Sequence, residues 1–159
     1  MPAKSPHCKP VSAKPTRTGT PRTKPTRINT ERFFQALGDA TRLRLLNLMG
    51  DQELCVCYFV EILDQPQPKI SRHLAYLRRA GIVEARREGK WMHYRITPPP
   101  EAGAAQLLRQ TLAWLKQDRT MQSDRARLGK ACCAPAKFVT LQSAPAPTAV
   151  ARTRTRKAR

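Results

Sequence analysis

The sequence is poor in acidic residues and has no long apolar segment. It contains 30 Lys/Arg against 11 Asp/Glu, a formal net charge of +19. No run approaches the roughly 18 apolar residues of a membrane-spanning helix, and the N-terminal stretch lacks the apolar core of a secretory signal. We therefore expect a cytoplasmic protein that does not enter a membrane. From charge alone, its partner is a polyanion: DNA, RNA or an anionic membrane surface.

The chain also lacks a recognisable set of nucleophile, base and acid, so we expect that it is not an enzyme. Its five cysteines are an odd number in a chain without an export signal. Reduced thiols are therefore a better interpretation than a disulfide framework. A reduced thiol can serve as a metal ligand, so the cysteines are candidates for ion binding.

The positive charge is concentrated at the two ends. Residues 1–30 carry seven Lys/Arg and no acid, and residues 119–159 carry ten basic residues and one Asp. Neither end has enough large apolar side chains to offset the entropy of ordering. We predict a disordered basic arm over 1–29, a folded domain over 30–118, and a largely disordered, Cys-containing basic tail over 119–159.

Three helices are predicted at the start of the folded domain. Thr30 is the predicted cap of the first, which is followed by apolar residues at helical spacing. Asp39 or Thr41 caps a second helix, which ends at residues 50–51. A short third helix is predicted through residues 56–63.

A fourth helix and a β-hairpin come next. The helix, over about 68–80, places Ile70, Leu74 and Leu77 in the core. Two β runs, 82–86 and 91–96, flank a Gly-containing turn and predict a hairpin. In the second run alternation assigns Met92, Tyr94 and Ile96 to the core face, and Trp91, His93 and Arg95 to the other.

A last helix over about 101–118 carries an apolar stripe with no obvious core left to cover. A two-fold dimer contact is the simplest use for such a stripe. The order of elements predicts a mostly α winged helix-turn-helix fold with a small β-hairpin wing. We expect a homodimer that forms through the N-terminal and C-terminal helices of the domain.

Three segments carry a family resemblance: ALGDATRLRLLNLM at 36–49, ELCVC at 53–57, and QPKISRHLAYLRRAGIVEARREGKWMHYRI at 67–96. Over about 31–117 the chain resembles the ArsR/SmtB-type metal-sensing repressors of bacteria. ELCVC is typical of the arsenic sensors and cadmium/lead sensors of that family. The resemblance implies a homodimer that binds a partly palindromic operator without a cofactor and dissociates when metal binds. One departure is Pro66, where relatives often have a capping Ser or Thr.

The fourth helix and the hairpin supply candidate DNA contacts. Gln pairs with adenine and Arg or Lys with guanine, whereas Ser and Lys can instead bind phosphates. The candidates on the helix are Gln67, Lys69, Ser71, Arg72, His73 and Tyr76, and those in the wing are Arg86, Arg87, Lys90 and Arg95. The alternative is that these residues form a solvated helix face and a solvated hairpin tip.

Cys55 and Cys57 are the candidate ion ligands. On a regular helix, residues i and i+2 point about 200° apart. We therefore expect a distorted or partly unwound first helical turn if both sulfurs bind one ion. The alternative is that both are small buried apolar residues.

Thiolates prefer soft ions, so the predicted inducer is As(III) or Sb(III), with Cd(II) or Pb(II) as the alternative. The two cysteines do not complete a three-thiolate site. Arsenic sensors often have a further Cys three residues after the second, where this chain has Val60. The third ligand is expected from Cys8, Cys132 or Cys133.

Two rival functions use the same fold. A redox or persulfide sensor would switch by disulfide chemistry between cysteines. An architectural chromatin-like protein would use the basic ends without operator preference. The first predicts release of DNA by peroxide or polysulfide, and the second predicts indifference to cysteine substitution.

Overall fold

The computed structural model describes residues 28–133, 138, 141 and 143–149 of the 159-residue chain. Within these residues the elements follow one another as α1 (Thr30–Leu37), α2 (Ala40–Met49), β1 (Gln52–Cys55), α3 (Val56–Leu63), α4 (Gln67–Arg79), β2 (Val83–Glu88), β3 (Trp91–Ile96), α5 (Ala102–Leu115), α6 (Arg119–Cys133) and β4 (Thr148–Ala149). The predicted winged helix-turn-helix is confirmed: α3 and α4 form the helix-turn-helix, and β2 and β3 form the wing.

Side-chain caps define the starts of the first two helices. The Asn29 side chain accepts a hydrogen bond from the Arg32 amide at 2.8 Å, and Asp39 accepts one from the Arg42 amide at 2.9 Å. Both cap residues have extended backbone angles, as a helix cap requires. Asp39 is thus the cap of α2, while the prediction of Thr30 for α1 is wrong by one residue.

The start of α4 has no side-chain cap. Pro66 occupies the capping position without a side-chain hydrogen bond, and Pro68 is the second residue of the helix. Proline lacks an amide hydrogen, so this first turn contains fewer donors that need a partner. The predicted inward face is confirmed, because Ile70, Leu74 and Leu77 are fully buried.

The strands form one antiparallel sheet in the order β2-β3-β1-β4. The predicted hairpin is β2-β3, and the positive φ of Gly89, +57°, lies in its turn. Strand β1 is not among the predicted elements. It pairs with β3 and brings Leu54 opposite Tyr94 and Cys55 opposite His93. The wing is therefore joined at its base to the strand that carries the first cysteine of ELCVC.

The position of His93 corrects one prediction. Alternation along β3 assigned His93 to the face away from the core, yet it is only 4% exposed. The physical reason is β1, which extends the sheet beside β3 and places the largely buried Glu53 near the imidazole. Tyr94 is buried on the other face, as predicted.

Helix α6 corrects a second prediction. An irregular tail was expected from residue 119, but residues 119–133 are helical, and Met121, Leu128 and Ala131 are buried. Asp124, also buried, accepts hydrogen bonds from Arg44 Nε at 2.7 Å and Nη2 at 2.8 Å. Folded structure thus continues past the predicted boundary at 118. The predicted N-terminal arm lies, except for residues 28 and 29, outside the described residues.

Helix α5 covers part of the core and leaves part of its apolar surface exposed. Leu108 and Leu115 are buried, so some of the predicted stripe has an intramolecular partner. Leu107 and Trp114 are 47% and 71% exposed, and Phe34 on α1 is 53% exposed. In the described part of the chain, no helix has the length and apolar character needed to span a membrane.

Candidate nucleic-acid interface and thiol site

The outer face of α4 borders an open, basic cleft of about 360 Å³. It is lined by Arg42, Lys69, Arg72, His73 and Tyr76. Four of the five are predicted DNA contacts. The fifth, Arg42 near the start of α2, is absent from the predicted set. Helices α2 and α4 therefore present cations to the same opening.

Tyr76 anchors α4 to the helices behind it. Its hydroxyl donates to Gln35 Oε1 of α1 at 2.7 Å, and the Arg42 guanidinium lies 4.4 Å from the centre of its ring. The Arg42 Nε also donates to the carbonyl of Ala36 at 2.8 Å. Tyr76 is thus half-buried, and its hydroxyl already has a hydrogen-bond partner on α1. These contacts fix the orientation of α4 relative to α1 and α2.

The first turns of α4 carry the accessible candidates. Gln67, Lys69 and Arg72 are exposed, while Ser71 is half-buried. Arg72 Nε donates to the carbonyl of Pro68 at 3.3 Å, a long contact within its own helix. Half-buried His73 places Nδ1 3.4 Å from Asp39 Oδ1, the cap of α2.

The four wing cations differ in their partners. Arg86 is ion-paired with Glu53 and Glu88, and Arg95 with Glu84. Arg87 donates to the carbonyl of Gly89, and the Lys90 ammonium lies 4.9 Å from the ring centre of Trp91. The cations at the wing tip are therefore bound more loosely than those near its base.

The two cysteines of ELCVC meet where β1 joins α3. Cys55 ends the strand and Cys57 lies in the first helical turn, with their sulfurs 2.8 Å apart and Cys57 as the donor. Cys55 precedes the helix and has extended backbone angles, φ −69° and ψ 147°. The sulfurs therefore converge beside a regular helix because Cys55 lies outside it, and the distorted first turn expected on ion binding stays a prediction.

This contact shifts the pKa values of the two thiols in opposite directions. The hydrogen bond from Cys57 lowers the pKa of Cys55 to about 7, against the opposing effect of burial. The same hydrogen bond, together with burial, raises the pKa of Cys57. When the pair loses its first proton, at a pH near 7, the proton therefore leaves Cys55 and Cys57 stays a thiol.

A third thiol lies in the same region. Cys132 of α6 is half-buried against the core. Burial raises the pKa of Tyr58 to about 12, and the charges of Cys132, Cys57 and Cys55 add to this effect. Cys133 is exposed, and Cys8 lies outside the described residues. Within the described part of the chain, no three His, Cys, Asp or Glu side chains form a group that could hold a metal ion.

Arg42 and Glu53 are site residues that the sequence analysis missed. Arg42 lies three residues after the Asp39 cap, a spacing that places it in the first turn of α2. Glu53 stands two residues before Cys55, which puts both on one face if the segment is a strand. That signal required β1 to be recognised first.

Comparison with known proteins gives consistent matches. Residues 39–85 match a family model described as bacterial regulatory protein, arsR family. The "Arsenical resistance operon repressor" of Escherichia coli (strain K12) is 42% identical over 102 residues, 64% of this chain and 86% of that protein. The "Arsenic resistance transcriptional regulator ArsR1" of Pseudomonas putida is 52% identical over 66 residues, 41% of this chain. The match spans about half of the Pseudomonas protein, 52% of its length.

Among solved structures, HlyU from Vibrio cholerae N16961 superposes with a TM-score of 0.48 at 26% sequence identity. The superposition covers 55% of this chain and 91% of that one. The family model over residues 39–85 extends from α2 into β2 and so includes the helix-turn-helix.

Proposed function

Because the chain belongs to the ArsR family of bacterial regulatory proteins, we propose that it is a repressor released from DNA when trivalent arsenic or antimony binds Cys55 and Cys57. Proteins of this family are DNA-binding transcriptional regulators and not enzymes. DNA is therefore the polyanionic partner that the net charge favours. The observation that carries the proposed inducer is the 2.8 Å contact between the two sulfurs.

The chemistry of the pair suits a soft ion. With its pKa lowered to about 7, Cys55 is partly ionised near neutral pH, so an incoming ion meets a thiolate in a large share of the molecules. Binding to the second sulfur then displaces the proton held by Cys57. Thiolates favour soft, thiophilic ions over hard ones, in agreement with the inducers proposed from ELCVC.

We propose Cys132 as the third ligand. Helix α6 packs against α3, and Cys132 lies on the core side of α6, close enough to Tyr58 for its charge to be felt there. Because the three sulfurs do not form a group that could hold an ion, binding must draw α6 and the β1–α3 junction together. Cys8 and Cys133 remain the alternative donors.

The proposed DNA contacts follow from accessibility. We propose that Gln67, Lys69, Ser71, Arg72 and His73 meet the groove. Arg42 lies beside them, but its side chain is only 14% exposed and is bonded to Ala36 and Asp39, so a phosphate would have to compete with these partners. Arg87 and Lys90 are placed on the backbone next to the wing tip. Tyr76, Arg86 and Arg95 already have protein partners, and a phosphate would have to compete with these.

The exposed apolar side chains support a homodimer. Phe34 on α1 and Leu107 and Trp114 on α5 are the large apolar residues that remain exposed in the described structure. They lie on the two helices at the ends of the predicted domain, where a two-fold contact was expected. Sedimentation of the wild type and of a Trp114→Glu variant tests this, and a dimeric variant would argue against α5 as the contact.

The basic ends are proposed to add affinity without sequence preference. Each neutralised phosphate releases counterions, so affinity that depends on these ends must fall steeply with salt. Deleting residues 1–27, which keeps the Asn29 cap of α1, should flatten the dependence of log K on log salt and leave operator preference intact. An unchanged slope would remove this arm from the DNA contact.

The decisive experiment is a titration of the protein–operator complex followed by fluorescence anisotropy. Arsenite, antimonite, cadmium, lead and zinc are added to the wild type and to the single Ser variants of Cys8, Cys55, Cys57, Cys132 and Cys133. We expect arsenite or antimonite to release the wild type, and Cys55→Ser, Cys57→Ser and Cys132→Ser to remain bound. Normal release of Cys55→Ser would overturn the proposal.

The same titration separates the rival functions. Release by peroxide or polysulfide but not by arsenite would identify a redox or persulfide sensor. Release by cadmium or lead alone would identify the other thiolate-sensing branch of the family.

A further inference from the structure

A row of side chains crosses the sheet from the thiol pair to the wing. Cys55 of β1 lies opposite His93 of β3, and His93 lies opposite Arg86 of β2. Directly opposed residues of neighbouring strands project to the same face of a sheet. The three side chains therefore share one face, with the thiol at one end and a wing cation at the other.

Glu53 adds a second link on the same face. It precedes Cys55 by two residues on β1, the period at which strand side chains repeat. Its Oε1 accepts hydrogen bonds from Arg86 Nη2 at 2.6 Å and Nε at 2.9 Å. The Glu53 side chain is only 11% exposed, whereas that of Arg86 is 52% exposed, so water is excluded from the carboxylate end of the pair and reaches the guanidinium end.

The buried His93 fills the space between these groups. Its Nδ1 lies 3.8 Å from Glu53 Oε1, and its Nε2 lies 3.8 Å from Glu88 Oε2. Nε2 is buried and has no hydrogen-bond partner. Because the His93 ring is buried and packed between these groups, a displacement of β1 would move the ring. A loosely packed side chain would instead change its rotamer and leave its other neighbours in place.

The other ion pairs of the wing do not reach β1. Arg95 and Glu84 join β3 to β2 at 2.7 Å, and Arg86 and Glu88 join two residues of β2 at 2.7 Å. In the described structure, the ion pairs that connect β1 with the wing are those of Glu53 with Arg86 and His93. Glu53 therefore occupies a position that neither Glu84 nor Glu88 duplicates.

We propose that β1 couples ion binding to the DNA affinity of the wing, with Glu53–Arg86 as the connecting pair. This inference rests on the proposed function, because it takes Cys55 and Cys57 as the ion site. An ion that pulls on Cys55 pulls on the last residue of a four-residue strand. The displacement reaches β3 through the Cys55–His93 pairing and reaches Arg86 through Glu53. The wing then changes its position on the DNA backbone.

This route differs from one through the helix-turn-helix alone. Cys57 also lies in the first turn of α3, the helix that precedes α4, so a shift of α3 would reach the recognition helix directly. The two routes make different predictions for a substitution that breaks Glu53–Arg86 and leaves α3, α4 and both sulfurs unchanged. Only a route through β1 loses coupling in that case.

The test uses the full-length protein and an operator fragment selected from random-sequence DNA. The coupling ratio is the operator Kd with arsenite divided by the operator Kd without it, and arsenite affinity is measured separately on the DNA-free protein. We expect Glu53→Gln to lower the coupling ratio by about fivefold or more, a sizeable part of the coupling common in allosteric proteins. Its arsenite affinity should stay within about twofold of the wild type, because no thiol is changed.

Glu84→Gln is the matched control, since it removes one wing carboxylate with the same change in charge and Glu84 is paired with Arg95, outside the proposed link. It should keep the wild-type coupling ratio. For Arg86→Gln only the coupling ratio is compared with the wild type, because the loss of a wing cation also changes the operator Kd without arsenite. This variant should lower the ratio as Glu53→Gln does, and the double variant should lower it no further, since both remove the same link.

Two failures are distinguishable. If arsenite neither binds nor releases the wild type, the proposed function fails. If the wild type is released and folded Glu53→Gln and Arg86→Gln retain its coupling ratio, the function stands and the route through β1 is wrong. A fall in the ratio for Glu84→Gln as large as that for Glu53→Gln would also overturn the proposal, because any loss of wing charge would then suffice.

Discussion

Helices α4 and α6 are both rich in cations, yet they use them differently. On α4, Lys69 and Arg72 are exposed and line an open cleft. On α6, Arg125 donates to the carbonyl of Asn47 on α2 at 2.6 Å. Arg125 thus helps to attach α6 to α2, whereas Lys69 and Arg72 of α4 face outward.

The comparison shows that basic composition alone does not identify a DNA-binding face. The charge count of the C-terminal segment suggests a solvated polycation, but α6 contributes buried residues and a buried carboxylate to the fold. The partners of each cation decide its role. Arg72→Ala, Asp124→Ala and Lys90→Ala test this distinction between outward and inward cations.

The largest effect is expected from Arg72→Ala on α4. Arg72 is exposed, and its contact with Pro68 is long, so its guanidinium is free to meet a base edge or phosphate. Loss of a specific base contact should weaken operator binding by about 10- to 100-fold. Arg127→Ala on α6 is the matched control and should leave the affinity unchanged in the same anisotropy assay. Equal losses in both variants would contradict the distinction.

The next effect concerns the stability of α6. Asp124→Ala removes the buried acceptor of two hydrogen bonds from Arg44 and should lower the free energy of unfolding by about 2 kcal/mol. Glu84→Ala breaks an exposed pair and should cost under about 1 kcal/mol. Urea unfolding compares the two. An Asp124→Ala protein as stable as wild type would mean that the pair does not hold α6.

A smaller effect is expected in the acidity of the thiol pair. With Cys8, Cys132 and Cys133 replaced by Ser, thiolate absorbance should report a pKa of about 7 for Cys55. A further Cys57→Ala change removes the hydrogen-bond donor, so the pKa should rise toward the ordinary value of 9.0. Cys57→Ser keeps a donor and should preserve the low value.

The sign of this shift fixes its effect on stability. A depressed pKa in the folded protein contributes stability above the unfolded pKa, and the contribution is lost as the pH falls through about 7. Cys57→Ala should therefore flatten the stability difference between pH 6 and pH 9. A Cys57→Ala protein with an unchanged Cys55 pKa would show that the contact between the sulfurs is not its cause.

Much of the fold was predictable because its signals are local. The α4 stripe of Ile70, Leu74 and Leu77 repeats at helical spacing, and the hairpin contains Gly89 at its turn. These patterns depend on residues within a few positions of one another. The cation face of α4 followed from the same periodicity.

The missed elements depend on distant partners. Strand β1 has four residues and exists through its pairing with β3, about 40 positions further along the chain. Helix α6 has few large apolar residues, and its buried surface includes Asp124. A local sequence pattern places an Asp in solvent, and its burial becomes understandable only from its ion pair with Arg44 of α2. His93 was misplaced for the same reason, since its burial requires β1.

The smallest expected effect separates two cations within the wing. Lys90 stacks on Trp91 at the tip, whereas Arg95 is bound to Glu84 at 2.7 Å. A tip cation that faces a phosphate adds affinity for every sequence, so Lys90→Ala should weaken binding by about threefold and lower the salt slope by about one. Arg95→Ala should change the slope less, because its charge is already balanced by a carboxylate. Should the Arg95 variant show the larger change, DNA must displace Glu84, and ion pairing in the free protein would not predict which wing cations bind the backbone.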